Sequence, residues 1–230
     1  MSRLFVLVKR ECIDVSRNYV ILSMMMVPLF IAFMYELKGV KDETVFLVPL
    51  LITYAFIGMV IQPIMIAEEK EKGSFTIYRV SPFHQGHLIV AKGIVSILLA
   101  LFVTILIAVM GGFSIENMLL FIYTAIATTL FSICAGTLVG FYSKNAMDTS
   151  VKGIPCAFFL LLPMFANFYE ENGMLTTINN MLPGQAIFNG LFVSLGGEMT
   201  GVWSDSLLVT GWTVAACVFC LVIYKKRQSL

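Results

Sequence analysis

The sequence is poor in charge: only 13% of its 230 residues are Asp, Glu, Lys or Arg, against roughly 25% in a soluble domain. With 59% hydrophobic residues and a mean hydropathy of +0.90, so much apolar surface cannot be enclosed in one water-facing core. The chain reads as a polytopic membrane protein. It contains no Gly-Lys dipeptide, which excludes a Walker A phosphate loop. It has no His-Glu-x-x-His and no Gly-x-Ser-x-Gly, so neither zinc-protease nor serine-hydrolase chemistry is expected. The only histidines, His84 and His87, have no further His or Cys nearby, and two ligands do not make a metal site. No metal, no cofactor and no enzymatic activity are expected. The five cysteines are Cys12, Cys134, Cys156, Cys217 and Cys220. Four lie in apolar runs, which argues against a disulfide framework, and Cys217-x-x-Cys220 reads as small packing residues.

Against these absences stand six apolar runs: Tyr19 to Tyr35 with Pro28 inside it, Val45 to Ala67, Leu88 to Phe113, Met118 to Tyr142, Gly153 to Tyr169, and Leu207 to Tyr224. Each is close to the ~20 residues that cross a bilayer core of about 30 Å. The first, fifth and sixth are at the short end. None carries Asp, Glu, Lys, Arg or His away from its ends. Ionisable groups inside a membrane mark proton relays and ion pathways, so their lack disfavours a proton- or sodium-coupled carrier.

Basic residues set the orientation, because Lys and Arg stay on the cytoplasmic side. Arg3, Lys9, Arg10 and Arg17, then Lys70, Lys72, Arg79 and Lys92, then Lys144 and Lys152, and finally Lys225, Lys226 and Arg227 all fall on one face of a six-span model. The other face has Lys38 and Lys41 alone. Both termini are therefore expected in the cytoplasm. This topology accounts for the basic residues, and nothing suggests nucleic-acid binding.

Residues 3 to 17 place Phe5, Val8, Cys12 and Val15 on one side and Arg3, Arg10, Asp14 and Arg17 on another, the pattern of an amphipathic helix in the membrane interface. Glu11 and Asp14 and the missing cleavage site argue against a signal peptide. In the fourth run, Thr128, Ser132, Gly136 and Gly140 recur every fourth residue. Such a face lets helices approach closely, either within the chain or between subunits. Residues 170 to 206 contain no Lys or Arg. They read as short helices broken at Pro183-Gly184 and Gly196-Gly197, either dipping into the outer leaflet or lying on the surface, with Trp203 near the interface.

The densest charge lies in Glu68 to Pro82. Glu68, Glu69 and Glu71 favour a helix N-terminus, Glu68 and Lys72 form a favourable i, i+4 pair, and Pro82 ends the segment. Phe75, Ile77 and Tyr78 put apolar side chains on a part that faces water. A plain connector does not need them, whereas a docking helix does. The alternative is a stop-transfer flank whose aromatics sit among headgroups.

Glu68-Glu69-Lys70-Glu71-Lys72-Gly73-Ser74, an apolar stretch, Ser81-Pro82 and Lys92 opening the third run resemble the signature of permease subunits of ABC-2-type exporters. The resemblance extends to Lys9-Arg10-Glu11 in the first helix, six spans, both termini inside and the long outer segment before the last span. It covers essentially the whole chain and departs at Thr76, Tyr78 and Arg79, where the family more often has acidic and aliphatic residues. It implies an all-α fold forming a single transmembrane domain over residues 1–230. Residues 3–17 would be the elbow helix and residues 68–82 the coupling helix that rests on a separate ATPase subunit. Glu68, Glu69, Glu71, Lys72, Gly73, Phe75, Tyr78, Arg79 and Pro82 would make that contact. A second permease copy or paralogue would complete the path through the bilayer, and the cargo would be an amphipathic or hydrophobic drug, antimicrobial peptide or lipid. A secondary carrier of small hydrophobic solutes, and a membrane immunity or scaffold protein without transport, are the competing readings.

Overall fold

The computed structural model describes residues 3–39, 43–73, 85–112, 115–162, 179–197 and 201–228. Among them the fold is all-helical, with no strand. Helix α1 (Arg3–Ser16) leads into α2 (Tyr19–Leu37), whose first N–H groups at Val20 and Ile21 are capped by the Asn18 side chain. A 3₁₀ turn, Glu43–Phe46, opens the long helix α3 (Leu47–Glu71). Then come α4 (Gln85–Gly111), α5 (Met118–Tyr142) and α6 (Ala146–Leu161). Helices α7 (Pro183–Ser194) and α8 (Val202–Gln228) complete the order.

Helix α3 is the axis of the bundle. In its most apolar stretch 89% of residues are buried, against 22% in α2, 33% in α4 and 11% in α8. Tyr54, Leu47, Leu50, Leu51, Ile57, Ile61 and Ile66 are among the largest fully enclosed side chains. A helix apolar on every side is one surrounded by others. Here α2, α4, α5, α6 and α7 pack around α3, while α8 lies outside against α5 and α7.

Near its middle α3 makes one turn of π-helix, Ile57–Ile61, and the Gln62 N–H reaches back to the Ile57 carbonyl. The Gly58 carbonyl thereby loses its usual donor. Pro63, which has no N–H, removes the donor of Met59 in the same way. Glycines of neighbouring helices occupy the space beside these two carbonyls. A Cβ on Gly136 of α5 would overlap the Gly58 oxygen, and one on Gly153 of α6 would overlap the Met59 oxygen. Close Cα–H contacts to carbonyl oxygens are a known form of helix packing.

Among the described residues, five helices are long and apolar enough to cross a membrane: α2, α3, α4, α5 and α8. The chain is thus a multi-pass membrane protein. The fifth run expected from sequence, Gly153 to Tyr169, is represented by α6, which has 16 residues, and residues 163–178 lie outside the described part. In the outer segment, α7 begins at Pro183, the position where proline fits because its N–H is not needed. It ends before Gly196, whose φ of +99° suits glycine. One reading needs correction. Glu68, Glu69 and Glu71 do not open a helix; they lie in the last turn of α3, which ends at Glu71 and turns at Gly73 with φ +67°. In α1, Leu7, Glu11 and Val15 pack against the rest of the bundle, while Phe5 and Cys12 are exposed.

Candidate functional site

An α-helix turns about 100° per residue, so consecutive side chains at the end of a surrounded helix point to different neighbours. Glu68 through Glu71 do this at the end of α3. Asn18 Nδ2, at the cap of α2, donates to Glu68 Oε1 at 2.6 Å. Glu69 Oε1 lies 3.3 Å from Arg10 Nη2 on α1 and 3.5 Å from Lys92 Nζ on α4. Lys70 Nζ donates to the last carbonyls of α5, Gly140 at 2.6 Å, Phe141 at 2.9 Å and Ser143 at 2.9 Å. Glu71 Oε1 accepts from the Ala146 N–H that opens α6, at 3.0 Å. The end of α3 is therefore bonded to α1, α2, α4, α5 and α6.

The signs of these charges suit their places. A helix C-terminus carries partial negative charge and favours a cation, and an N-terminus favours an anion. Lys70 meets the C-terminus of α5 and Glu71 the N-terminus of α6, so adjacent residues hold both sides of the α5–α6 turn. Inside that turn, Asn145 caps the Asp148 N–H at 2.7 Å and Lys152 Nζ donates to Asp148 Oδ2 at 2.7 Å.

Behind this ring lies a buried ion pair. Lys92 Nζ is 2.6 Å from Glu11 Oε2, and Glu11, Glu69 and Lys92 are only 1%, 2% and 3% exposed. Burial pushes the Glu11 carboxyl above its ordinary value, while the neighbouring Lys92 ammonium works in the opposite direction. Removing one partner of such a pair strands the other charge and costs about 3–5 kcal/mol.

Of the residues expected to couple to an ATPase, Glu68, Glu69, Glu71, Lys72 and Gly73 stand together at this end of α3. Lys72 is 3.8 Å from Glu68, and Gly73 provides the turn. Phe75, Tyr78, Arg79 and Pro82 lie outside the described residues, as does His84. Ser132, Gly136 and Gly140 face α3: Ser132 packs on Gly58, Gly136 meets the Gly58 carbonyl, and Gly140 sits over Pro63 and Ile66. Thr128 is fully buried and donates to the Thr124 carbonyl at 2.6 Å.

Several anchoring contacts were not foreseen from sequence. The pattern marks Arg10 and Glu11 only as part of the first helix and Asn18 not at all, and all three lie far from the cluster along the chain. Gln62, fully buried, accepts from Ser96 Oγ at 2.7 Å and donates to Thr137 Oγ1 at 3.3 Å, joining α3, α4 and α5. An amide inside an apolar run was the available signal. Cys134 Sγ lies 3.3 Å from Cys217 Sγ, so the cysteine pair of α8 has a third thiol beside it.

The family model described as ABC-2 family transporter protein matches residues 34–224. The chain belongs to the ABC-2 transporter family. No curated protein matches it. Membership makes this chain an ABC-2-type permease, a membrane transport domain rather than a catalytic one, and implies association with an ABC ATPase.

Proposed function

We propose that the chain is the membrane-spanning subunit of an ATP-driven exporter. Glu68 to Pro82 would be the contact through which separate cytoplasmic ATPase subunits move it. One observation carries this reading: the five-helix junction at the end of α3. A push on the segment that follows Gly73 acts on the most enclosed helix and, through Glu68, Glu69, Lys70 and Glu71, on the ends of α1, α2, α4, α5 and α6 together. Phe75 and Tyr78 supply the apolar anchors for the ATPase, and Arg79 and Pro82 flank them.

An amphipathic or hydrophobic cargo fits the chemistry. In the middle of the bundle Gln62 is bonded to Ser96 and Thr137, and Thr104 to Tyr54, which favours a passage between two permease copies over one inside a single chain. At the end away from the Glu68 cluster, Leu119, Tyr123, Val193, Trp203 and Leu207 line an apolar groove of about 660 Å³, a volume in the range of small-molecule sites. The sparsely buried α2, α4 and α8 offer apolar faces to lipid and to a second copy.

The test is co-expression with an ABC ATPase subunit and reconstitution of the complex. The expected result is that Phe75→Ala with Tyr78→Ala leaves membrane insertion and thermal stability unchanged but loses tenfold or more of the ATP-dependent efflux of a lipophilic dye. Efflux at the level of the unaltered chain removes the docking role. An unaltered chain that neither binds the ATPase nor supports efflux removes the exporter reading.

A further inference from the structure

Glu11 and Glu69 each give one carboxylate oxygen to the cations of the buried cluster. The second oxygens, Glu11 Oε1 and Glu69 Oε2, are buried and have no hydrogen-bond partner among the described residues. An ionised acceptor shielded from water and left unsatisfied is costly. Both residues line one small cavity of about 10 Å³, together with Asp14, Asn18 and Glu68. That is about the space of a single water-sized sphere. Carboxylate oxygens of Glu11, Asp14 and Glu69 lie within 4.8 Å of one another. Atoms this close can bind one ion together, since oxygen-to-cation distances are about 2.3–2.6 Å for calcium-sized ions.

The charges select the kind of ion. Among the described residues, the cavity's carboxylates Glu11, Asp14, Glu68 and Glu69 are ion-paired to three cations, Arg10, Lys72 and Lys92, which leaves one negative charge in excess within this set. One monovalent cation neutralises it, whereas a divalent ion overshoots. Magnesium also keeps several of its waters, and the cavity has no room for them. An all-oxygen donor set disfavours soft metals.

We propose that Glu11, Asp14 and Glu69 hold one dehydrated alkali cation, sodium or potassium, which ties α1 to the ends of α3 and α4. The inference is independent of the coupling role and is tested without an ATPase or a cargo. The purified full-length chain is unfolded thermally in sodium, potassium or choline chloride at equal ionic strength. Sodium or potassium raises the melting temperature over choline, saturably, by on the order of 3 °C at a salt concentration about ten times the dissociation constant. Glu69→Gln abolishes the difference. Asp14 is half-exposed, so Asp14→Asn keeps the fold and needs severalfold more salt for the same rise. Three coincident curves overturn the proposal and leave the cavity to one water. An Asp14→Asn chain that titrates like the unaltered one overturns it too, and a response to calcium but to neither alkali ion overturns the monovalent assignment.

Discussion

A methyl group added to Gly136 would overlap the Gly58 carbonyl oxygen, and that oxygen belongs to the backbone of the most enclosed helix, which cannot give way as a side chain can. At Gly140 the same methyl group meets Ile66 Cβ and Pro63 Cα at 3.1 Å, a contact that a small shift relieves. At Gly211 nothing lies within 4 Å. The order of damage follows. Gly136→Ala costs about 1–3 kcal/mol by overpacking, Gly140→Ala costs less, and Gly211→Ala is neutral or slightly stabilising because alanine favours helix. Melting temperatures of the three variants in one detergent check it, and equal values for Gly136→Ala and Gly211→Ala contradict the packing described. The spacing of Thr128, Ser132, Gly136 and Gly140 was legible in the sequence as a close-approach face. Its counterpart was not, because the π-turn at Ile57–Ile61 is a backbone feature that no residue pattern announces. Gly58 and Pro63 were visible in the second run, but only the fold shows that Gly136 and Gly153 come to the carbonyls beside them.

At the scale of the element, α3 combines features that the sequence separated. Hydropathy marked Val45 to Ala67 as one span and read the charges after it as a helix in water. The helix in fact runs through to Glu71; Glu69 is buried, Glu68 and Lys70 are half-buried, and even the exposed Glu71 is bonded to another element. A run such as Glu-Glu-Lys-Glu fits a solvated face and a surrounded junction equally well; the difference lies in Arg10, Asn18, Lys92, the carbonyls of Gly140 to Ser143 and the Ala146 N–H, all remote along the chain. The junction makes the α5–α6 turn depend on Lys70 and Glu71. Replacing Lys70 by Met removes the ammonium from the last α5 carbonyls, and Glu71→Gln weakens the cap of α6. Each loosens the turn by about 1–2 kcal/mol, which corresponds to roughly tenfold faster amide exchange at residues 143–149. Exchange in α1 stays as before, since Arg10 and Lys92 still hold Glu69. Faster exchange in α1 alone, with the turn unchanged, contradicts the assignment of these contacts.

On the scale of the whole molecule, the arrangement has an enclosed axis and thinly covered outer helices, with its ionic bonds gathered at one end. That end carries Arg10, Arg17, Lys70, Lys72, Lys92, Lys144 and Lys152, while among the described residues the opposite end has Lys38 as its basic residue. Lys and Arg are retained on the cytoplasmic side during insertion, and ATP is available only there, so the two arguments agree on which end must face the ATPase. Cysteine labelling from the two sides of the membrane tests this orientation. In a chain whose five native cysteines are replaced by serine or alanine, Lys38→Cys reacts with an impermeant maleimide in intact cells. Lys144→Cys, exposed on the α5–α6 turn, reacts only after the membrane is opened. The reverse pattern places the Glu68 cluster outside, away from ATP, and removes coupling and export direction together. The agreement of both sites with the expected pattern would set the α3 junction against the cytoplasmic subunits, where a push on the segment after Gly73 reaches five helices at once.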